Sequence, residues 1–266
     1  MLDRFNRKIN YLRISVTDRC NLRCRYCMPE EGVCLLRHED ILSYEEIREV
    51  VSVAVPLGID KIRLTGGEPL VRKDIVELVA MIASVQGVRD MAMTTNGILL
   101  ERYAESLAKA GLHRVNVSLD TVDEEKFRQV TRGGDIRRVF SGIEAARRAG
   151  LSPIKINCVV GGEHREEEAM AVRQYCLDHG LEGRFIPQMD LGSGDFGIVE
   201  GGSGGDCVHC NRLRLTSNGR MKPCLFSGLE YDIRELGIRR AIELALGAKP
   251  EKGTLNQGGC FHQIGG

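Results

Sequence analysis

The chain has 266 residues, 42% of them hydrophobic, and its 37 Lys and Arg balance 37 Asp and Glu. That balance excludes a global field that would draw nucleic acid or an acidic membrane, so anions must be met by local clusters of cations. No apolar run approaches the roughly 18 residues of a membrane span, the charged start lacks a signal-peptide core, and ten cysteines in the cytoplasmic protein this implies point to metal or redox chemistry, not a disulfide framework.

Tyr11–Val16 (YLRISV) reads as a first strand. Ser43 and Glu46 form a capping box that opens a helix over EEIREVVSVAV. Lys61–Thr65 is strand-like, and Asp74 caps the helix that follows. Asp90–Thr95 and His113–Leu119 are further strands, the first followed by a helix over LLERYAESLAKAG and the second by DEEKFRQV and DIRRVFSGIEAARRAG. Lys155–Val160 precedes another helix, and Gly183–Met189 closes the series. About six strand–helix units imply a parallel sheet with right-handed crossovers, either doubly wound or an open barrel. Both place functional loops at the carboxyl ends of the strands. Leu191–Cys207 is Gly-rich and aperiodic, a linker or an ordered loop. A second cysteine cluster and a helix near Asp232–Ala248 follow. The expected division is 1–190 for the strand–helix region and 191–266 for a small C-terminal region.

The loop CNLRCRYC follows the first strand and spaces Cys20, Cys24 and Cys27 as C-x3-C-x2-C. Structural zinc normally takes four ligands, and neither Cys34 nor His38 stands at a usual spacing for a fourth. Only Leu22 is purely apolar between the thiols, which disfavours a buried structural trio. Three thiolates on a [4Fe–4S] cluster leave one iron open for a small molecule. The loop resembles the cysteine motif of the radical SAM superfamily. That resemblance implies that the open iron chelates S-adenosylmethionine (SAM) and that its reductive cleavage yields a 5′-deoxyadenosyl radical. It also implies SAM contacts by Tyr26, by the Gly66-Gly67-Glu68 turn of LTGGEPL, where Glu68 would accept from the SAM ammonium, by Ser118 of NVSLD, and by Met189.

Cys207, Cys210 and Cys224 form a second triplet, C-x2-C-x13-C. Zinc with Cys260 as fourth ligand is the alternative to a second cluster. Arg212 and Arg214 share one face if their segment is extended, and two guanidiniums on one face make an anion site. The two triplets, the GGEPL and TTNG loops, CNRLRLTSNG, KPCLF and the terminal Gly265-Gly266 together resemble the GTP 3′,8-cyclase family of molybdenum-cofactor biosynthesis. The resemblance implies an open partial (β/α)6 TIM-type barrel with a small C-terminal iron–sulfur region, two [4Fe–4S] clusters, SAM, and GTP as the small-molecule substrate. The second cluster's open iron would bind the purine. It assigns GTP contacts to Arg13, Arg63, Thr94, Lys155, Arg212 and Arg214, and more weakly to Lys61 and Arg184. An isolated cation in a barrel strand is costly unless it meets an anion, and a triphosphate supplies one. An external electron donor of no readable identity, a next pathway enzyme that takes the product, and a homodimer complete the expected partners. The short segment before Cys207, Pro187-Gln188 after RFI, and the altered tail leave open a two-cluster paralogue acting on another substrate, such as a peptide. Cys158 and Cys176 read as core thiols.

Overall fold

The computed structural model describes residues 1–161, 165–189 and 197–253. The terminal Gly265-Gly266, Cys260 and the expected boundary at Asp190 lie outside them.

The strands are β1 Tyr11–Ser15, β2 Lys61–Thr65, β3 Asp90–Thr95, β4 Arg114–Ser118, β5 Lys155–Val160 and β6 Glu182–Pro187, then β7 Arg212–Leu215, β8 Arg220–Lys222 and β9 Tyr231–Asp232. They form one sheet in the order β6-β5-β4-β3-β2-β1-β7-β8-β9. The first six strands are mutually parallel, as expected of strands joined by helical crossovers. Strands of the described residues 197–253 extend the same sheet. Strand β7 pairs in parallel with the free edge of β1, and β8 and β9 continue antiparallel.

Side chains of the first six strands point alternately to two faces. One face carries Leu12, Ile14, Ile62, Leu64, Met91, Met93, Val115, Val117, Ile156 and Cys158, all 1% exposed or less. Helices α1 Tyr44–Ala54, α2 Ile75–Ala83, α3 Leu100–Lys109, α4 Glu124–Thr131, α5 Ile136–Arg148 and α6 Arg165–Asp178 cover that face. Full burial of each large aliphatic side chain contributes roughly 1.5–3 kcal/mol, so this layer is the main source of stability. The other face is mainly polar, with Ala92 and Ile186 among its exceptions. Arg184 and Ile186 of β6 line the same cavity as Arg214 of β7, although five strands separate them in the sheet. The sheet therefore curls into an open partial barrel with a polar lumen. That curl explains the alternation, because a parallel strand covered by helices on both faces would be apolar throughout.

The capping box forms, with Ser43 Oγ accepting from Glu46 N at 3.2 Å and Glu46 Oε2 from Ser43 N at 2.7 Å. Asp74 differs from expectation: it precedes α2 at φ 58° and makes no side-chain cap. The single helix expected near Asp232–Ala248 is broken into α7 Ile233–Leu236 and α8 Ile238–Gly247 at Gly237, whose φ of 78° no helix continues. Part of the Gly-rich stretch is an ordered loop, fastened to the β6 edge by paired hydrogen bonds of 3.1 Å between Phe185 and Glu200. No described helix is long and apolar enough to cross a membrane.

Candidate active site

The first thiol loop leaves the carboxyl end of β1 and stays zipped to the turn after β2. Val16 N donates to Thr65 O at 3.0 Å, Gly67 N to Thr17 O at 2.7 Å and Glu68 N to Arg19 O at 2.8 Å. The backbones lie so close that a Cβ on Gly66 would stand 2.6 Å from Thr17 O, and one on Gly67 2.3 Å from Arg19 O. The two glycines are thus required by the approach of the cysteine-bearing segment itself. On its far side the loop is pinned to α4, through Arg23 N to Thr131 O at 3.2 Å and Arg25 N to Val130 O at 3.0 Å. Cys27 N and Met28 N both donate to Cys24 O, which folds the loop into a turn.

This turn brings the three thiols together. Burial pushes Cys24 up to about 12, and the neighbouring Cys27 and Cys20 add to it. Burial likewise raises Cys20, to about 11, and Cys27. Leu22 N points at Cys20 Sγ at 3.4 Å, and Asn96 Nδ2 at 3.8 Å. Among the described residues no three His, Cys, Asp or Glu side chains form a site for a single metal ion. Three clustered thiols, with an N–H and an amide aimed at one sulfur, fit a group of several irons that draws thiolates to it.

Glu68 is 1% exposed, and the structure gives it a fastening task. Its Oε1 accepts from Leu70 N at 3.0 Å and Thr95 Oγ1 at 2.7 Å, and its Oε2 from Asn96 N at 2.6 Å. The carboxylate expected to meet a ligand ammonium is already engaged by three donors of the chain, and it locks the GGEPL and TTNG loops together. Burial outweighs those hydrogen bonds and lifts the carboxyl from 4.5 to about 7. The folded chain therefore holds this proton more tightly than the unfolded chain. Its contribution to stability is complete below pH 4.5 and is lost as pH rises through about 7. Glu68→Gln should flatten this part of the pH dependence, read as melting temperature across that range. A variant with the wild-type slope would place the titration elsewhere.

Tyr26 is 43% exposed overall, but its hydroxyl is sunk beside Asp120. Burial of that end, and then the Asp120 charge, raise it well above the ordinary tyrosine value. Ser118 ends β4 on the lumen face. Met189 packs with Leu225, Phe226 and Cys224. Thr94 Oγ1 is buried and finds no hydrogen-bond partner among the described residues.

The second triplet lies at the opposite end of the lumen. β7 runs parallel to β1, yet Cys207 and Cys210 precede β7 whereas Cys20 follows β1. Cys224 returns to the same end after the antiparallel β8. Both Cys210 and Cys224 lie close enough to Arg214 to act on its charge. Burial raises the Cys210 thiol, but the Lys249 and Arg212 cations outweigh it and the net direction is down.

Between the two triplets stands a file of cations. Register places Arg214, Arg13, Arg63, Ala92 and Arg114 in one row across β7, β1, β2, β3 and β4. The adjacent row holds Arg212, Tyr11, Lys61 and Asp90. With Arg184, all of these except Ala92 line a cavity of about 220 Å³ in which Asp90 is the one acidic residue among the described residues. Asp90 is itself ion-paired to Arg114. Burial and then neighbouring arginines lower Arg13 well below the ordinary arginine value and bring Arg214 to about 10. Burial, with Arg63 the next lowering cause, brings Arg184 to about 10. Arg63 Nε and Arg184 Nε are buried without a hydrogen-bond partner among the described residues. So much like charge in one desolvated lumen is a site built for a polyanion.

Lys155 departs from this group. It is ion-paired to Glu182, its register neighbour on β6, and is not among the cavity's lining residues. An in-register acid across the strand pair is sufficient reason. Sequence reasoning missed Arg114, Tyr11 and Asn157, which do line the cavity. The alternation Arg114, Asn116, Ser118 in RVNVS was the available signal, since it sets Arg114 on the same face as Ser118.

The chain matches the radical SAM superfamily over residues 14–176. A solved methylornithine synthase shares the fold at a TM-score of 0.57 and 18% identity, over 69% of this chain and 54% of that one. The chain belongs to the radical SAM superfamily, which brings S-adenosylmethionine and a [4Fe–4S] cluster as cofactors. It is 41% identical to the GTP 3′,8-cyclase of Alkaliphilus oremlandii, over 96% of this chain and 95% of the relative. It is 45% identical to that of Thermodesulfovibrio yellowstonii, over 94% and 95%. Within the superfamily it belongs to the GTP 3′,8-cyclase family. The first alignment runs over 303 positions against a chain of 266 residues, so the relative carries stretches that this chain lacks.

Proposed function

We propose that this chain is a radical SAM lyase, a GTP 3′,8-cyclase that converts GTP to 3′,8-cyclo-7,8-dihydroguanosine triphosphate in molybdenum-cofactor biosynthesis. The observation that carries this reading is the in-register cation row, Arg214, Arg13, Arg63 and Arg114, placed between two thiol triplets at opposite ends of one lumen. Arg13, Arg63, Arg212 and Arg214 take the triphosphate, with Lys61 and Arg184 beside them, and Thr94 offers its hydroxyl to the substrate. Cys20, Cys24 and Cys27 would hold the SAM cluster. Tyr26, Gly66, Gly67, Ser118 and Met189 border SAM. Cys207, Cys210 and Cys224 would hold a second [4Fe–4S] cluster against the purine. When bound, SAM and the reduced first cluster supply a 5′-deoxyadenosyl radical able to take a hydrogen atom from the ribose. The protein's own part is to fix the ribose between the two ends, with its triphosphate clamped in a low-dielectric cage of guanidiniums. An external electron donor and a following pathway enzyme that receives the product complete the setting.

The test is anaerobic reconstitution with iron and sulfide, then dithionite, SAM and GTP. The expected result is about eight irons per chain, 5′-deoxyadenosine, and a GTP-derived product resolved from GTP by chromatography and mass spectrometry. SAM cleavage with GTP unchanged would move the substrate to another class, such as a peptide. Zinc in place of iron would sink the radical mechanism.

A further inference from the structure

Lys249 stands just beyond α8 and is 2% exposed, among the largest fully buried side chains of the protein. Its ammonium donates to Arg212 O at 2.7 Å and Pro223 O at 2.9 Å. Cys210 lies within reach of its charge. Pro223 directly precedes Cys224, and Arg212 follows Cys210 by two residues. One buried side chain thus grips the segments of two of the three thiols of the second triplet. The third is gripped from the same side. Arg7 donates to Cys207 O at 2.7 Å and to Pro250 O at 2.7 Å, which ties that thiol's segment to the chain beside Lys249.

The two cations differ in how their charge is met. Arg7 is paired with Asp3 at 2.6 Å, and the nearby buried Lys222 with Glu230 at 3.3 Å. No carboxylate among the described residues pairs with Lys249; its hydrogen-bond partners are two carbonyls. A buried ammonium without an acid is costly, and a thiolate bound to an iron–sulfur cluster is an anion that would meet it.

We propose that Lys249 is a positioning residue for the second cluster: its ammonium is the fixed counter-charge to the Cys210 thiolate and holds the Cys210 and Cys224 segments in place. This rests on the two-cluster reading above. Outer partners of ligands typically change metal affinity by about 10–100-fold when removed. A fixed cation also favours the reduced cluster, which carries one more negative charge, so its loss should make the reduction potential more negative.

The experiment uses the full reconstituted chain carrying Cys24→Ser, so that only the second cluster is seen. Lys249→Met should lose iron to a chelator at least about ten-fold faster and shift the potential, followed by electron paramagnetic resonance, to more negative values. Lys249→Arg, which keeps the charge, should restore both toward the parent. If Lys249→Met does not fold, as judged by circular dichroism, Lys249→Gln is read by the same two criteria. Unchanged iron retention and potential in the neutral variant overturn the role of Lys249 and leave the second cluster standing. A parent chain that binds no cluster overturns the second cluster, and the role with it.

Discussion

Cys24→Ser is expected to abolish SAM cleavage, to remove the iron of one cluster, and to leave the fold nearly intact. The argument is one of contrast between what the side chain does for the fold and what it does for iron. Cys24 is half-buried in a loop held by backbone hydrogen bonds to Thr131, Val130 and its own carbonyl, none of which uses its sulfur. A serine hydroxyl fits the same space and preserves every one of those bonds. As a ligand it fails, because its proton is held far more tightly than that of a thiol and iron–sulfur clusters take thiolates. Iron should fall from about eight to about four per chain, 5′-deoxyadenosine to background, and the melting temperature of the metal-free chain should move little. Cys176→Ala is the matched control. That thiol is 3% exposed and packed in the core, so its loss should lower the melting temperature and leave iron unchanged. Full SAM cleavage by Cys24→Ser would sink the assignment of the first triplet.

The sequence carried the strands and helices of the barrel because most strand positions alternate apolar and polar residues for a physical reason. One face meets helices and the other meets a charged lumen. The same alternation made Arg13, Arg63, Arg184 and the Arg212–Arg214 pair legible as a set, since cations inside strands call for an anion. Other features depend on which strands become neighbours, which local pattern does not encode. That β7 docks in parallel on β1, and so sends the second triplet to the far end of the lumen, is a fact of topology. Lys155 looked equivalent to the other strand cations until β5 and β6 set Glu182 beside it. Glu68 sat in a turn that suggested a ligand contact, yet its donors come from Leu70, Thr95 and Asn96, the last two on a different loop. Lys249 had no sequence signal at all. It follows a helix in an unremarkable stretch, and only the packing of α8 against β8 and β9 shows that its ammonium is buried against the carbonyls of Arg212 and Pro223.

Arg214→Met is expected to weaken GTP binding by about 10–100-fold and, at the same time, to stabilise the ligand-free chain. The binding loss follows from removing a buried charge-assisted contact to phosphate, which is worth about 1.5–3 kcal/mol. The gain in stability follows from the position of Arg214 in the row. It is 6% exposed, beside Arg13 in register and close to Arg212. Burial first, and then Arg212, bring its guanidinium down from 12.5 to about 10. A base whose folded value is depressed is charged in both states at neutral pH, so the full penalty for burying that charge is present there. The penalty is relieved only as pH climbs from about 10 toward 12.5, where the unfolded chain binds the extra proton. Methionine fills much of the same volume without the charge, so the cost of burying that charge beside Arg13 and Arg212 is removed. The two effects should separate in one thermal experiment. Without ligand, Arg214→Met should melt above the wild type. With GTP in excess, the wild type should rise by an amount set by its dissociation constant, and the variant should respond only at far higher concentration. Arg128→Met, on the exposed face of α4, should change neither reading. If Arg214→Met bound GTP as the wild type does, the cation row would be structural and the triphosphate would have to lie elsewhere. A lower melting temperature with weakened binding would instead mean that Arg214 holds β7 in place as well as the phosphate.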